Sequence, residues 1–351
     1  MRLGVDAQSC SGESEVEVSL EITIRPERLA LSAPFRISRG VKTHADVVTV
    51  GLRDGEAEGW GECVPYPRYG ETTDTVEAQL RAAALRLAEG EDARRVVAEL
   101  PPGAARNALD CALWDLAARR DGRTVGARLG RSRPGRMATA VTISLDSPEA
   151  MRAAAAAMAD APLLKVKLDA ESPRERLLAV AEGAPEARLI VDPNESWTPD
   201  VLDRMADLVA RLHVILVEQP LPAGDDLALE GLDYPAPICA DESAHVAGDV
   251  GRLLGRYQSV NVKLDKAGGL SAALAMVQQA RDLGLGVLAG CMVSSSLSIA
   301  PAMWVGAMAD AVDLDGPWWL AQDRAGGCRI ERGVLYPPQL GFWGEAAPAS
   351  R

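Results

Sequence analysis

From residue 137 onward the chain repeats one pattern: a short β-rich run ending in a polar or charged residue, then an Ala- and Leu-rich amphipathic segment. The runs are TAVTIS, LLKVK, RLIVD, HVILVE, PICAD, SVNVK, LGVLAG and AVDLD. Five successive polar ends, Lys167, Asp192, Glu218, Asp241 and Lys263, stand 22 to 26 residues apart, the length of one βα unit per step. Eight such runs are what a (β/α)8-type barrel requires. Right-handed crossovers then bring every strand's C-terminal end to one face, which is where such barrels carry their active sites. A doubly wound open sheet fits less well, because no Gly-rich phosphate fingerprint opens any unit. The glycines of NVKLDKAGGL follow a lysine and lack the G-x-G-x-x-G spacing.

The region before this repeat is built differently. Residues 18 to 63 read as an antiparallel meander, with SLEITI, ADVVTVGL and EGWGEC separated by turn residues. Residues 73 to 119 change to apolar positions at three- and four-residue spacing, a helical section. After residue 316 the chain reads GPWWLAQD and then turn-rich strands to about 345, expected to return to the N-terminal region. The chain has 351 residues, enough for a barrel with an addition.

Composition excludes several classes of function. The net charge is −13 and no Lys/Arg-rich run is present, so nothing here would neutralise a nucleic-acid backbone or an anionic membrane. The longest uncharged apolar stretch, residues 285 to 303, is broken by Gly, Ser and Pro and does not read as a membrane span. Six cysteines, at 10, 63, 111, 239, 291 and 328, form no C-x-x-C or zinc-knuckle spacing and are expected to be buried thiols of a reducing, cytoplasmic compartment. The N-terminus has no apolar h-region, so residues 1 to 17 are expected to be a disordered tail, as is the final AAPASR. With only His44, His213 and His245 in the chain, chemistry is expected to rest on carboxylates and lysines.

Asp192, Glu218 and Asp241 end three consecutive strands and should stand side by side at the barrel mouth. Three converging carboxylates repel one another unless a cation is present. A hard divalent ion resolves the repulsion, and magnesium, which takes a few carboxylates and keeps positions for water or substrate oxygen, is favoured. Alternation in LLKVK turns both Lys165 and Lys167 toward the barrel interior, where an unpaired ammonium is costly. The acidic strands lie between those of Lys167 and Lys263, so these two lysines approach from opposite sides. Desolvation and a nearby dication are expected to lower a lysine pKa toward the range of a base. Two such groups flanking a metal-bound carboxylate suit abstraction of the proton α to that carboxylate and its return to either face.

KVK, VDPNESW, VEQP, CADES and NVKLDKAGG resemble the enolase superfamily, specifically its muconate-lactonising-type branch. Within that branch GECVPYPRYGET, LPPGAARNALDCALWDLAARR, GCMVSSS and DLDGP resemble the dipeptide epimerases of the L-Ala-D/L-Glu type. The resemblance covers residues 18 to 345. It implies a modified TIM barrel, (β/α)7β, over 126–316, with an N-terminal α+β capping domain over 18–125 that the 317–345 segment rejoins. It implies Mg2+ on Asp192, Glu218 and Asp241, an acid/base pair in Lys167 and Lys263, and Lys165 beside the substrate carboxylate as stabiliser of the enediolate. The family's D-x-D falls on Asp313 and Asp315, where it binds the substrate's free ammonium. One departure stands out: where those epimerases use an arginine against the substrate's side-chain carboxylate, PFRISRGVK offers Lys42, which keeps the charge but lacks the bidentate fork.

The expected reaction is 1,1-proton transfer at the second residue of an L-Ala-led dipeptide, L-Ala-D/L-Glu by resemblance, released from cell-wall peptides. The expected partner is a small-molecule dipeptide; a homo-oligomer is compatible with the chain. An N-acylamino acid racemase or o-succinylbenzoate synthase would use the same ligands and lysines, but a blocked nitrogen gives no reason for Asp313 and Asp315. A catalytically silent binding barrel would not need both lysines and all three acids. Tyr66, Arg68 and Tyr69, in the PYPRYG loop, are expected either to form a structural turn or to close over the barrel mouth against substrate. Asn194 and Glu242 are expected to orient carboxylates. Cys239, Cys291 and Met292 are read as packing residues, and Trp114, Trp318 and Trp319 as core or interface anchors.

Overall fold

The computed structural model describes residues 20–345, so both proposed disordered tails lie outside the described residues. The chain opens with three antiparallel strands, β1 (Glu21–Ile37), β2 (Gly40–Asp54) and β3 (Ala57–Cys63). β1 runs far beyond the expected SLEITI, through Pro26 and Pro34. It is an edge strand, where a proline's missing N–H costs no ladder bond, and the register shift between Ala30 and Phe35 absorbs the second proline. Helices α1 (Thr73–Ala88), α2 (Ala93–Glu99), α3 (Ala104–Arg120) and α4 (Val125–Leu129) follow. Thr72 caps α1 by accepting the N–H of Thr75, and the Thr75 hydroxyl accepts the N–H of Thr72 in return. Val48, Val50 and Leu52 of β2 bury against Val76, Leu80, Leu109 and Leu116 of α1 and α3, which is the core of this first region.

After the short β4 (Met137–Ala138) the barrel is laid down in chain order. Its units are β5 (Val141–Ile143), α5 (Pro148–Ala157), β6 (Leu163–Lys167), α6 (Pro173–Gly183), β7 (Arg188–Asp192), α7 (Pro199–Arg211) and β8 (Val214–Glu218). They continue with β9 (Ile238–Ala240), α8 (Ala247–Val250), β10 (Ser259–Val262), α9 (Leu264–Ala267), α10 (Leu270–Asp282), β11 (Gly286–Gly290), α11 (Ser296–Gly306) and β12 (Ala311–Asp313). The eight strands from β5 to β12 pair in parallel with their sequence neighbours. The Ala140 N–H donates to Val312 O at 2.8 Å and brings the first strand to the last, so the sheet closes as a barrel. All eight runs read from the sequence are therefore barrel strands.

Not every strand is followed by the expected helix. Between β8 and β9 there is only a 3-10 turn at Leu227–Leu229, because Pro220, Pro222, Gly224, Gly231, Pro235 and Pro237 interrupt any longer helix. Inside the barrel, Ala140, Leu163, Ile190, Leu216, Cys239 and Leu288 form an apolar plug. Two residues further along their strands stand Thr142, Lys165, Asp192, Glu218, Asp241 and Gly290, so the period-two alternation that fills the floor with methyl groups aims the polar residues at the mouth.

Beyond β12, β13 (Arg329–Glu331) and β14 (Val334–Tyr336) pair with β4 in a small sheet of their own. The segments beside them reach the N-terminal region: the Ala321 N–H donates to Ala30 O, and Trp343 Nε1 donates to Trp60 O. Trp319 is buried edge-to-face against Phe35, and Trp114 donates to Ser271 across the two regions. Trp318, expected as an anchor, is 39% exposed instead, since it turns outward from the 3-10 turn that buries its neighbour. Cys63, Cys111 and Cys239 are buried thiols; Cys291 and Cys328 are only half-buried because they sit in loops at the barrel rim.

Candidate active site

The strand ends form one wall of a cavity of about 500 Å3, and the opposite wall comes from β1, β2 and the loop after β3. Lys165, Lys167, Asp241, Glu242, Lys263, Asp313 and Asp315 line the barrel side; Phe35, Ile37, Arg39, Lys42, Tyr66, Arg68 and Tyr69 line the other. Asp192 and Glu218 lie one layer deeper, both fully buried.

Lysines interleave with the three acids. Lys165 Nζ is 3.0 Å from Asp192 Oδ2, 2.7 Å from Glu218 Oε2 and 2.8 Å from Asp313 Oδ2. Lys167 Nζ donates to Asp192 Oδ2 at 2.5 Å and to Asn194 Oδ1 at 3.2 Å. From the other side, Lys263 Nζ donates to Asp241 Oδ2 at 2.7 Å and Lys266 Nζ to Asp241 Oδ1 at 2.5 Å. Among the described residues no group of three His, Cys, Asp or Glu side chains stands already gathered around one metal point. The donor set nevertheless fits a hard cation: three buried carboxylates from adjacent strands, all oxygen donors, with Glu218 Oε2 buried and met only by the Lys165 ammonium. Glu218 carries the strain of the cluster. Burial and the charge of Asp192 raise its carboxyl to about 7.

Burial alone would lower Lys263 and Lys165, but the carboxylates proposed to hold the cation outweigh it. Asp241 and Glu218 hold Lys263, and Asp192 and Asp313 hold Lys165, well above the ordinary lysine value.

Residues beyond the strand ends fix the geometry. Asn194, whose N–H donates to Asp192 Oδ1, links that acid to Lys167. Gln219 accepts the N–H groups of Asp241 and Ser243 and donates to Leu221 O, the Ser243 hydroxyl and the Tyr257 hydroxyl. Asn261 Nδ2 donates to Glu218 Oε1 at 2.8 Å. The neighbouring strand accommodates Asn261 only because residue 290 is glycine: a Cβ there would lie 2.3 Å from Asn261 Oδ1. Glu242 lies against Arg39 Nη2 at 2.8 Å, and Arg39 also donates to Asn194 O and Glu195, while Arg68 grips Glu195 through two bonds of 2.8 Å. Glu242 thus braces the opposite wall instead of a strand-end acid, and the guanidinium of Arg68 is engaged in holding its loop to the barrel. Lys42 makes no ion pair among the described residues; its ammonium lies 4.8 Å from the centre of the Tyr66 ring, and burial lowers its pKa.

Sequence reasoning did not find Lys266, Gln219, Asn261 or Glu195. Lys266 had a signal, since it follows Lys263 by three residues and any helical turn there folds it back onto the same site. The others act through contacts between elements distant in sequence.

A barrel whose strand-end acids alternate with lysines, closed by a β-meander and helices, defines a class, and the chain belongs to it: the enolase superfamily. Residues 19–130 match the family described as mandelate racemase / muconate lactonizing enzyme, N-terminal domain, and 149–342 match the enolase C-terminal domain-like family. Among its relatives are the L-Ala-D/L-Glu epimerase of Escherichia coli, 44% identical over 90% of this chain and 99% of that protein, and the N-acetyl-D-glutamate racemase of Pseudoalteromonas, 41% identical over 87% and 97%. A solved enolase family member from Agrobacterium tumefaciens with homology to dipeptide epimerases, holding sodium and L-Ala-L-Glu, is 46% identical and superimposes with a TM-score of 0.90 over 93% of this chain and 100% of that one. Other solved dipeptide epimerases of this kind are complexed with Mg and a dipeptide.

Proposed function

We propose that the chain is a Mg2+-dependent epimerase of L-Ala-led dipeptides, moving the proton on the α-carbon of the second residue, with L-Ala-D/L-Glu as its substrate pair. The observation that carries this reading is the placement of Lys167 and Lys263 at opposite ends of the carboxylate arc, both facing the same cavity. The Mg2+-bound relatives and the oxygen-only donor set support Asp192, Glu218 and Asp241 as the residues that hold the ion. When bound, Mg2+ supplies positive charge against the substrate carboxylate and acidifies the adjacent C–H.

The protein's own groups do the rest. Lys165, buried between Asp192, Glu218 and Asp313, places a fixed ammonium where negative charge grows as the proton leaves. One of Lys167 and Lys263 receives the α-proton and the other delivers a proton to the opposite face, so the stereocentre inverts. Asp313 and Asp315 meet the free ammonium of the first residue; Asp313 Oδ1 is buried and accepts no hydrogen bond, so it is available to that cation. Lys42, unpaired at the far wall, takes the side-chain carboxylate of the second residue. The Tyr66 ring backs it, and the Arg68 loop keeps the wall in place. We place this activity in the cytoplasm, on Ala-Glu released from cell-wall peptides; the five described cysteines, all free thiols, are consistent with a reducing compartment.

The 41% identical N-acetyl-D-glutamate racemase favours a second reading, racemisation of an N-acylated amino acid on the same lysines. Deuterium incorporation in heavy water, scanned across a library of L,L-dipeptides and their N-acetylated forms, separates the two. Exchange in L-Ala-L-Glu but not in its acetylated form supports the dipeptide reading, and the reverse replaces it.

A further inference from the structure

Lys263 lies just past the end of its strand: β10 stops at Val262, and the lysine is the N-cap residue of the four-residue α9. Lys266 ties this turn to Asp241 and Asn261 O within the barrel, and the N-terminal region holds it from the other side. Asp265, two residues after Lys263 and almost fully buried, accepts through one oxygen, Oδ1, both the N–H of Val64 at 2.9 Å and Asn107 Nδ2 at 2.8 Å. No lysine or arginine pairs with it among the described residues, and burial, with the charges of Glu71 and Glu62, pushes its carboxyl up to about 7.

Those two donors belong to different elements. Val64 joins β3 to the Pro65–Gly70 segment, which carries Tyr66, Arg68 and Tyr69 into the cavity. Asn107 sits on α3, fully buried, with Nδ2 also directed at Glu62 O. The same helix presses on the turn again through Asp110, which accepts the N–H and hydroxyl of Ser271. Gly269, at φ +102°, permits that approach, because a Cβ there would fall 2.5 Å from Asp110 Cβ. On the far side of the site, Lys167 ends a five-residue strand paired in register with β7 and needs no such prop.

We propose that Asp265 is a positioning residue for Lys263, tying the strand end that carries this lysine to the cavity-lining loop 65–70 and to α3, so that loop placement over substrate and lysine placement at the α-carbon are coupled. The proposal rests on the epimerase reading above. It assigns to a residue that touches no substrate an effect on one face of the reaction only, because Lys167 is anchored independently.

The test measures α-proton exchange in heavy water separately for L-Ala-L-Glu and L-Ala-D-Glu, with Mg2+ present. Lys263→Ala first identifies which epimer depends on Lys263. In Asp265→Ala, exchange of that epimer should fall by at least about tenfold, the scale of a sub-ångström to ångström misplacement, while exchange of the other stays within about threefold of native. Asp265→Asn, which keeps an acceptor oxygen, should restore exchange on the affected face. If Asp265→Ala fails to fold by circular dichroism, Asn107→Ala, which removes one donor, is expected to give the same one-sided defect. Equal losses for both epimers, or no loss, overturn the role of Asp265. No exchange by the native protein overturns the epimerase reading instead, and this proposal with it.

Discussion

Lys165 Nζ lies 2.8 Å from Asp313 Oδ2, so one of the two acids at the end of the final barrel strand is already partnered by a lysine from the second. Asp315 is held differently: its Oδ2 accepts the Thr142 N–H at 2.8 Å and Trp319 Nε1 at 3.3 Å. The pair is therefore divided in task. Asp313 joins the buried charge network of the strand ends, while Asp315 is a carboxyl in a pocket of neutral donors.

That difference makes Asp315 a stability cost at neutral pH. Burial, followed by the charge of Asp313, raises it from 3.8 to about 6. The folded chain then holds this proton more tightly than the unfolded chain, so stability falls as pH rises between about 4 and 6, and the cost persists above that window. Asp315→Asn is expected to raise Tm relative to native at pH 8, with the gap closing as pH falls toward 4. Calorimetric scans at several pH values check this; a gap that does not change with pH removes the titration of Asp315 as its cause.

Metal dependence follows from the buried carboxylate arc. Chelation should abolish epimerisation and Mg2+ should restore it. Asp241→Asn should weaken Mg2+ binding by at least about a hundredfold, read by isothermal titration without substrate. Full turnover in a metal-stripped sample would remove the assignment.

The two lysines give a sharper outcome. Lys167→Ala and Lys263→Ala should each eliminate epimerisation, while each variant still exchanges the α-proton of the one epimer that faces its surviving lysine. Substantial epimerisation by either single variant contradicts the two-base arrangement.

Lys42 is proposed to set the side-chain preference. Among the described residues it is the cavity cation without an ion-pair partner, whereas Arg39, three residues earlier, is committed to Glu242 and Glu195. Lys42→Met should reduce kcat/KM for L-Ala-L-Glu by about ten- to a hundredfold, the scale of one charge-assisted bond, and leave L-Ala-L-Leu within a few-fold. Equal losses on both dipeptides would place Lys42 outside the specificity pocket.

Much of this arrangement was legible because a barrel converts sequence period into position. Alternation decides which residues face inward, and one βα unit per step decides which are neighbours, so Lys167, Asp192, Glu218, Asp241 and Lys263 could be placed from spacing alone. What was hidden lies where chain distance and spatial distance part company. Asp265 and Asn107 are 158 residues apart, and the Arg39–Glu242 pair joins β1's end to the loop after β9; no periodicity encodes either. The same holds for the surroundings of Lys263: burial can be inferred from a strand end, but how closely Asp241 and Glu218 approach the amine cannot.

Substrate class turns on the nitrogen of the first residue. Thr142 and Trp319 hold Asp315 in place through Oδ2, and Asp313 Oδ1 is buried without a hydrogen bond, so the final strand presents acceptors and no donor to whatever lies between these two acids. An ammonium satisfies both and offsets their mutual repulsion; an amide N–H carries one proton and no charge, and its acyl oxygen would face carboxylates. N-Acetylation of L-Ala-L-Glu is therefore expected to lower kcat/KM at least about tenfold, roughly 1.4 kcal/mol. In the double variant Asp313→Asn plus Asp315→Asn the free dipeptide should lose its advantage, because amide side chains no longer distinguish an ammonium from a neutral nitrogen by charge. The comparison is kcat/KM for both substrates in both proteins at saturating Mg2+. If the native enzyme prefers the acetylated substrate, the ammonium site is not used as such and the N-acylamino acid racemase reading replaces the dipeptide one.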